Sequence, residues 1–159
     1  GAIIGYTVEE FNQLTDWILE KVPLSYIAIA SWGQNIYLNK VRAEGPNEGR
    51  LINEVVHEHL AGRVPLMATG GINSIEKSRE AIMHAEMVGL SSVFVAEPDF
   101  VAKFQENREE DINLDVSVDD IERLAIPKAA FKDIVLMMDY GKSLPQHTRD
   151  EFRKLEENY

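Results

Sequence analysis

Apolar residues form two patterns along the first two thirds of the chain: some recur every three or four positions, and others form short continuous runs. Between residues 8 and 21 they recur every three or four positions, which predicts an amphipathic helix that Pro23 ends. Thr7 and Glu10 have the spacing of a capping box, so this helix is expected to begin directly after Thr7. The apolar positions of the helix are Val8, Phe11, Leu14 and Ile18.

Three further helices follow from the same period. One is predicted over about 51–60, with Gly62 as its stop. The next is expected to be capped by Asn73 and to end near Ala85. The last is predicted to open at Pro98, because proline suits the first position of a helix. The side chains that the Asn73 helix should bury are Ile75, Ala81 and Ile82.

Short apolar runs separate these helices and are predicted to be strands. They cover residues 26–31, 64–69 and 87–90, and the first is apolar on both faces, as a strand buried on both sides would be. Alternating helices and strands imply a parallel sheet with right-handed crossovers. The predicted fold class is therefore α/β, with about three parallel strands and flanking helices.

Beyond about Arg108 the pattern is helical only, with candidate helix starts at Ser117, Pro127 and Thr148. We therefore divide the chain into βα units over 1–106 and a helical C-terminal extension over 107–159. The first helix has no strand before it and the chain has no initiator Met, which indicates a piece of a larger fold.

Three parallel strands leave two unpaired edges, and such edges are contact surfaces unless something covers them. Apolar strand residues are also expected on an exposed inner face of the sheet. We therefore predict that the chain self-associates. The strand residues assigned to that inner face are Ile27, Ile29, Leu66 and Met67.

Composition excludes several classes of function. The formal net charge of −11 argues against a nucleic-acid surface, which needs a basic stripe. The absence of cysteine excludes zinc–thiolate sites and cysteine nucleophiles. No segment approaches the roughly 18 apolar residues of a membrane helix, and the first residues do not form a signal peptide. A cytoplasmic protein with no membrane or nucleic-acid partner is expected.

The strand predicted over 64–69 ends in Gly70-Gly71 and leads into a helix. Such a turn has two interpretations. It is either a tight connection from strand to helix, or a place where backbone N–H groups and a helix N-terminus receive a phosphate. The turn alone does not separate them.

Two longer segments, VPLMATGGINSIEKSREAI and EMVGLSSVFVAEPDFVAK, resemble the C-terminal part of the old yellow enzyme family. Gly70-Gly71-Ile72 matches the turn after strand seven of that family, and Val88-Gly89-Leu90 matches its strand eight. Pro98-Asp99-Phe100-Val101-x-Lys103 follows at the expected spacing. The resemblance covers about residues 5–104 and implies the C-terminal half of a (β/α)8 TIM barrel, strands six to eight.

The family resemblance also implies a cofactor and its binding residues. The family reduces FMN with NADH or NADPH and passes hydride to a small-molecule acceptor. The resemblance implies that five residues of this chain lie at the FMN phosphate: Thr69, Gly70, Gly71, Ser91 and Ser92. Ser91-Ser92 stand where the family has Gly-Arg, so a fixed positive charge is missing.

The resemblance assigns no catalytic residue to this chain, because the family's redox and proton-donating residues come mostly from strands one to five. The chain alone is therefore expected to be inactive and to bind FMN weakly or not at all. An alternative is a non-catalytic phosphate-binding or structural half-barrel module. A third is another phosphate-binding barrel family with the same Gly-Gly turn.

Three smaller groups of residues are candidate sites. His57-Glu58-His59 is interpreted as a solvated helix face, since residues two apart on a helix point in different directions, and no metal site is predicted. The loop that carries Trp32, Tyr37 and Arg42 either covers a flavin or substrate or is pinned to the body by its aromatic residues. Met137-Met138 is assigned to core packing.

Overall fold

The fold is an α/β arrangement around a small parallel sheet. The computed structural model describes residues 5–31, 33–120, 123–130, 133–137 and 142–156. Its strands are β1 (Ile27–Ile29), β2 (Leu66–Thr69) and β3 (Met87–Gly89). They pair in parallel in the order β1-β2-β3, each with its neighbour in sequence. The predicted α/β class with three parallel strands is confirmed.

Helices flank this sheet and continue beyond it. The described helices are α1 (Val8–Lys21), α2 (Ile52–Leu60), α3 (Ile75–Ala81), α4 (Ser92–Ala96), α5 (Phe100–Gln105) and α6 (Gln146–Glu156). Residues 133–137 are also helical. Single 3₁₀ turns cover Ile36–Leu38, Ile82–His84, Glu109–Asp111, Val118–Asp120 and Lys128–Ala130. In the described part of the chain, no helix has the length and apolar character to cross a membrane.

The N-terminus of α1 is a capping box, as predicted. The Thr7 hydroxyl accepts a hydrogen bond from the Glu10 N–H at 3.2 Å, and the Glu10 carboxylate accepts one from the Thr7 N–H at 2.8 Å. Two of the N–H groups that lack a partner in the first turn of a helix are thereby satisfied.

The expected apolar face of α1 is only partly buried. Val8 is buried, but Leu14 and Ile18 are exposed, and the buried neighbours of Val8 are the polar Asn12 and Thr15. Trp17 is 56% exposed on the same helix. Periodicity located the helix correctly but not its buried side, so α1 leaves apolar side chains at the surface of the described structure.

The sheet presents two faces of different character. The parallel register aligns Ile27 with Leu66 and Ile29 with Ala68, and these side chains pack into the main core with α2. Met67 points to the opposite face because successive side chains of a strand alternate. The prediction that Ile27, Ile29, Leu66 and Met67 share an inner face was therefore wrong.

The prediction that β1 is buried on both sides was also wrong. Ala28 is exposed, and Ile27 and Ile29 are only partly buried, because β1 is an edge strand covered on one face. The central strand β2 is the buried one, with Leu66 and Ala68 fully enclosed.

The cap of α3 differs from the prediction. Ser74, not Asn73, is the N-cap, and its hydroxyl accepts a hydrogen bond from the Lys77 N–H at 3.2 Å. Asn73 instead donates its side-chain amide to the carbonyl of Ser143. Ile75 and Ala81 are buried as expected, whereas Ile82 is exposed beyond the end of the helix.

The segment after β3 contains one helix that the periodicity did not predict. The five residues of α4 are too few to show a helical period, and α5 begins at Phe100 rather than at Pro98. Pro98 lies in the turn between the two helices, a shift within the usual uncertainty of helix ends.

The C-terminal region shares an apolar cluster with α4, and its members include Ala96, Val116, Val135 and Phe152. Thr148 does not cap the last helix, because α6 already begins at Gln146. The buried Thr148 hydroxyl donates to the carbonyl of Leu114 at 2.7 Å and accepts from the N–H of Val116 at 2.9 Å. The division at 106/107 stays a prediction.

Candidate functional site

A cavity of about 450 Å³ lies at the carboxyl ends of the strands. Gly70 and Gly71 directly follow β2, and Ser91 and Ser92 follow β3; all four line the cavity. The structure thus brings together four of the five residues that the family resemblance implied. Thr69 is not in the lining. Its hydroxyl donates to the carbonyl of Ile29 at 2.5 Å.

Backbone geometry explains why glycine occupies both turn positions. Gly70 and Gly71 have φ angles of 89° and 81°, which residues other than glycine rarely adopt. A Cβ on Gly70 would lie 2.6 Å from the Cβ of Ile36, and one on Gly71 would lie 2.5 Å from the backbone N of Asn35. The loop after β1 therefore packs against this turn, and only glycine permits that approach.

The same loop forms a second wall of the cavity through Ser31, Gly33 and Ile36. Tyr37 anchors it: its side chain is buried, and its hydroxyl donates to the Glu80 carboxylate at 2.7 Å. Burial and the nearby Glu80 carboxylate raise the pKa of Tyr37 far above its usual range. Tyr37 thus pins the loop to the body of the protein, in agreement with the interpretation in which the aromatic residues of the loop anchor it.

The other two residues singled out on this loop do not add to the site. Arg42 is exposed to solvent. Trp32 lies outside the described residues.

The C-terminal region supplies a third wall. Leu136, Met137 and Ser143 line the cavity, and the Asn73 side chain donates to the Ser143 carbonyl beside it. Met137 is 52% exposed, so its assignment to core packing was wrong; Met138 lies outside the described residues. Nothing in the local sequence pattern linked this segment to the glycine turn, because only tertiary packing brings them together.

The described lining is polar and apolar but uncharged. Its serine side chains can donate or accept hydrogen bonds, and its glycines leave the backbone accessible. Lys77 lies next to it, with its ammonium Nζ 3.3 Å from the carbonyl oxygen of Gly71 and 3.2 Å from Oδ1 of Asn35. Sequence reasoning missed Lys77.

Glu97 is a buried acid between α4 and α5, 1% exposed. Its Oε2 accepts from the Lys103 ammonium at 2.5 Å and from the backbone N–H of Asn113 at 3.2 Å. Burial raises the pKa of this carboxyl, but the hydrogen bonds from Lys103 and Asn113 outweigh it and hold the pKa below its usual value. These contacts connect the segment after β3 to the C-terminal region.

The histidines of the 57–59 segment contact different acids. His57 Nε2 lies 2.8 Å from the Glu86 carboxylate, and His59 Nε2 lies 2.9 Å from that of Asp16. The two rings therefore point to separate partners, as their spacing on α2 predicts.

Comparison with known proteins adds the chemistry of relatives to this geometry. No family model matches the chain. All 159 residues align at 49% identity with an uncharacterized oxidoreductase of Streptococcus pyogenes, covering 40% of it. A probable NADH-dependent flavin oxidoreductase of Bacillus subtilis is 26% identical over 132 residues, 82% of this chain and 34% of that relative. The predicted resemblance to the flavin oxidoreductases is confirmed.

The oxidoreductase relatives are longer than this chain, which spans about two fifths of one and one third of the other. A further match reaches 4-hydroxy-tetrahydrodipicolinate synthase of Brucella abortus, at 27% identity over 94 residues, 59% of this chain and 30% of that enzyme. The flavin oxidoreductase match covers more of the chain than the synthase match does.

Proposed function

We propose that this chain is the C-terminal half-barrel and helical extension of an old yellow enzyme-like, NADH-dependent FMN oxidoreductase. The observation that carries the proposal is the convergence of Gly70-Gly71 and Ser91-Ser92 on one cavity. These pairs follow adjacent parallel strands, where (β/α)8 barrels bind their ligands.

The topology of the sheet supports the assignment of β1, β2 and β3 to strands six to eight of such a barrel. Each strand pairs in parallel with the next strand in sequence, and helices pack on one face of the sheet. The opposite face, which carries Met67, would be the interior of the barrel. The missing barrel strands would then adjoin β1 and β3 at the two edges.

The residues at the cavity fit the phosphate end of FMN in size and in hydrogen bonding. The volume of about 450 Å³ lies in the usual range for small-molecule sites, roughly 300–1,000 Å³. Ser91 and Ser92 offer hydroxyl donors to phosphate oxygens, and Gly70-Gly71 allow close backbone approach. The charge of the lining fits less well, since no described lining residue is cationic.

Bound FMN would supply the hydride chemistry, taking hydride from NADH or NADPH and passing it to a small acceptor such as an activated alkene. The residues of this chain would hold and orient the phosphate end. Tyr37 would keep the β1 loop against the glycine turn, and Leu136, Met137 and Ser143 would limit access of water from the C-terminal side. No residue of this chain is assigned a catalytic role.

The test is made on the complete protein that contains this half-barrel. Purification should give a yellow protein whose released flavin is FMN and whose flavin absorbance bleaches anaerobically with NADH or NADPH. A colourless protein that takes up no FMN when it is supplied in excess would contradict the proposal.

A non-catalytic half-barrel module is the second candidate function, and one observation favours it. The close approach of Ile36 and Asn35 explains both glycines by packing alone. In addition, Ser92 offers no fixed charge to a phosphate. Failure of the complete protein to bind FMN, together with an intact fold by circular dichroism, would favour this candidate.

A further inference from the structure

Lys77 brings a positive charge to the turn that lines the cavity. The half-buried side chain reaches back from the first turn of α3, and its ammonium donates to the Gly71 carbonyl and to Oδ1 of Asn35. An ammonium has three N–H donors, so these two bonds leave one for a further acceptor.

Local structure fixes this position from both sides. The Ser74 cap accepts from the backbone N–H of Lys77, and side chains in a helix lean toward its N-terminus, here toward the glycine turn. On the other side, the backbone of Asn35 packs directly against Gly71. The ammonium is thus held by the strand-to-helix turn and by the β1 loop together.

The charge of Lys77 is also not neutralised by an acid. Among the described residues Lys77 forms no ion pair, although the chain has 27 acidic and 16 basic residues. The arginine two residues further along the same helix does pair: Arg79 contacts the Glu109 carboxylate at 2.8 Å. A half-buried ammonium without a carboxylate partner is available to an anion.

We propose that Lys77 supplies the cation for the cofactor phosphate in this protein, in place of the arginine that is absent after β3. The inference rests on the proposed function, since it assumes that FMN binds with its phosphate at Gly70-Gly71. A phosphate there would accept the remaining Lys77 donor together with hydroxyls of Ser91 or Ser92. Charge-assisted hydrogen bonds of this kind are about twice as strong as neutral ones.

The test compares two flavins on the complete protein. FMN and riboflavin differ only in the phosphate, so the ratio of their dissociation constants isolates the phosphate contact. Lys77→Gln should weaken FMN binding by roughly tenfold, the loss expected for a charge-assisted contact, and leave riboflavin unchanged. Lys77→Arg, which keeps the charge, should retain most of the preference for FMN.

Lys142→Gln is the matched control, because it removes the same charge from an exposed residue next to Ser143. It should change FMN binding by less than about twofold, as expected for a screened surface charge. Circular dichroism and thermal unfolding of each variant check that the fold is intact.

Three outcomes would count against the inference. If Lys77→Gln keeps the preference of wild type for FMN, another group holds the phosphate and the inference fails alone. If Lys142→Gln weakens FMN binding as much as Lys77→Gln, the effect is general electrostatics rather than a contact at Lys77. If wild type binds neither flavin, the proposed function fails and takes the inference with it.

Discussion

Glu97 and Lys103 form an ion pair of 2.5 Å in which the acid is almost wholly buried and the ammonium is mostly so. Lys103 also donates to the carbonyl of Asp111 at 2.8 Å, while Glu97 accepts from the N–H of Asn113. The pair therefore holds the start of the C-terminal region against α4 and α5. One of its oxygens, Oε1 of Glu97, is buried without a hydrogen-bond partner in the described structure.

Breaking this pair from one side should be costly. Lys103→Met leaves the Glu97 carboxylate buried without its cation, so we expect the free energy of unfolding to fall by about 3–5 kcal/mol. Urea denaturation followed by circular dichroism measures the change. The double variant Glu97→Gln with Lys103→Met should recover part of the loss, and a double variant as unstable as the single one would show that the pair is not the cause.

The pH dependence of stability follows from the same carboxyl. Because the folded pKa of Glu97 lies below its usual value of about 4.3, the stability that it contributes is present above that value. This contribution is lost as the pH falls through the lowered folded pKa. Glu97→Gln should therefore flatten the acid side of the stability curve below about pH 5, measured by urea titrations at several pH values. An unchanged slope would place the acid sensitivity on other carboxyls.

The 159-residue chain by itself should bind FMN weakly and show no reductase activity. Its described cavity lining has no charged side chain, and half of the proposed barrel is absent. Titration of FMN with the chain, followed by flavin fluorescence, tests this. Saturable quenching in the micromolar range would contradict it.

Restoring the family's residues after β3 should tighten the cofactor. In the complete protein, Ser91→Gly with Ser92→Arg introduces a guanidinium that can bind phosphate in a bidentate manner. We expect the dissociation constant for FMN to fall by roughly tenfold, since such a pair adds a charge-assisted contact. Ser92→Gln, which adds length without charge, is the control. An unchanged constant in the arginine variant would show that the phosphate lies elsewhere.

The isolated chain should self-associate. β1 is an unpaired edge, and α1 leaves Leu14, Trp17 and Ile18 exposed, a pattern that marks contact surfaces. Light scattering after gel filtration should give a mass above 18.0 kDa at tens of micromolar. Trp17→Glu should shift the chain toward monomer, with Glu20→Gln on the exposed side of α1 as a control. A monodisperse wild-type monomer would overturn the expectation.

Local patterns predicted the parts of the fold that depend on neighbouring residues. The capping box at Thr7 is decided within a few residues, and the structure confirms it. The family resemblance implied that Ser91-Ser92 and the glycines lie together, and the topology explains why they do, because adjacent parallel strands end at the same edge of a sheet.

Features decided by tertiary packing were not predictable in this way. Asn73 and Ser74 have similar capping preferences, and the distant Ser143 carbonyl takes the Asn73 side chain. Thr148 has the spacing of a cap but is buried against residues 114 and 116. Lys77 lies beside the cavity because its ammonium contacts the Gly71 carbonyl and Oδ1 of Asn35, and no spacing in the sequence reports the contact with the distant Asn35.

The strand order carries a consequence for synthesis on the ribosome. Because β2 pairs with β1 and β3 pairs with β2, each of the two ladders joins strands that are consecutive in the chain. Short loops cost less entropy to close than long ones, so each strand can dock soon after it emerges. Until the next strand arrives, the growing sheet has a free edge of parallel backbone groups, and that edge is where the nascent chain is most exposed to mispairing.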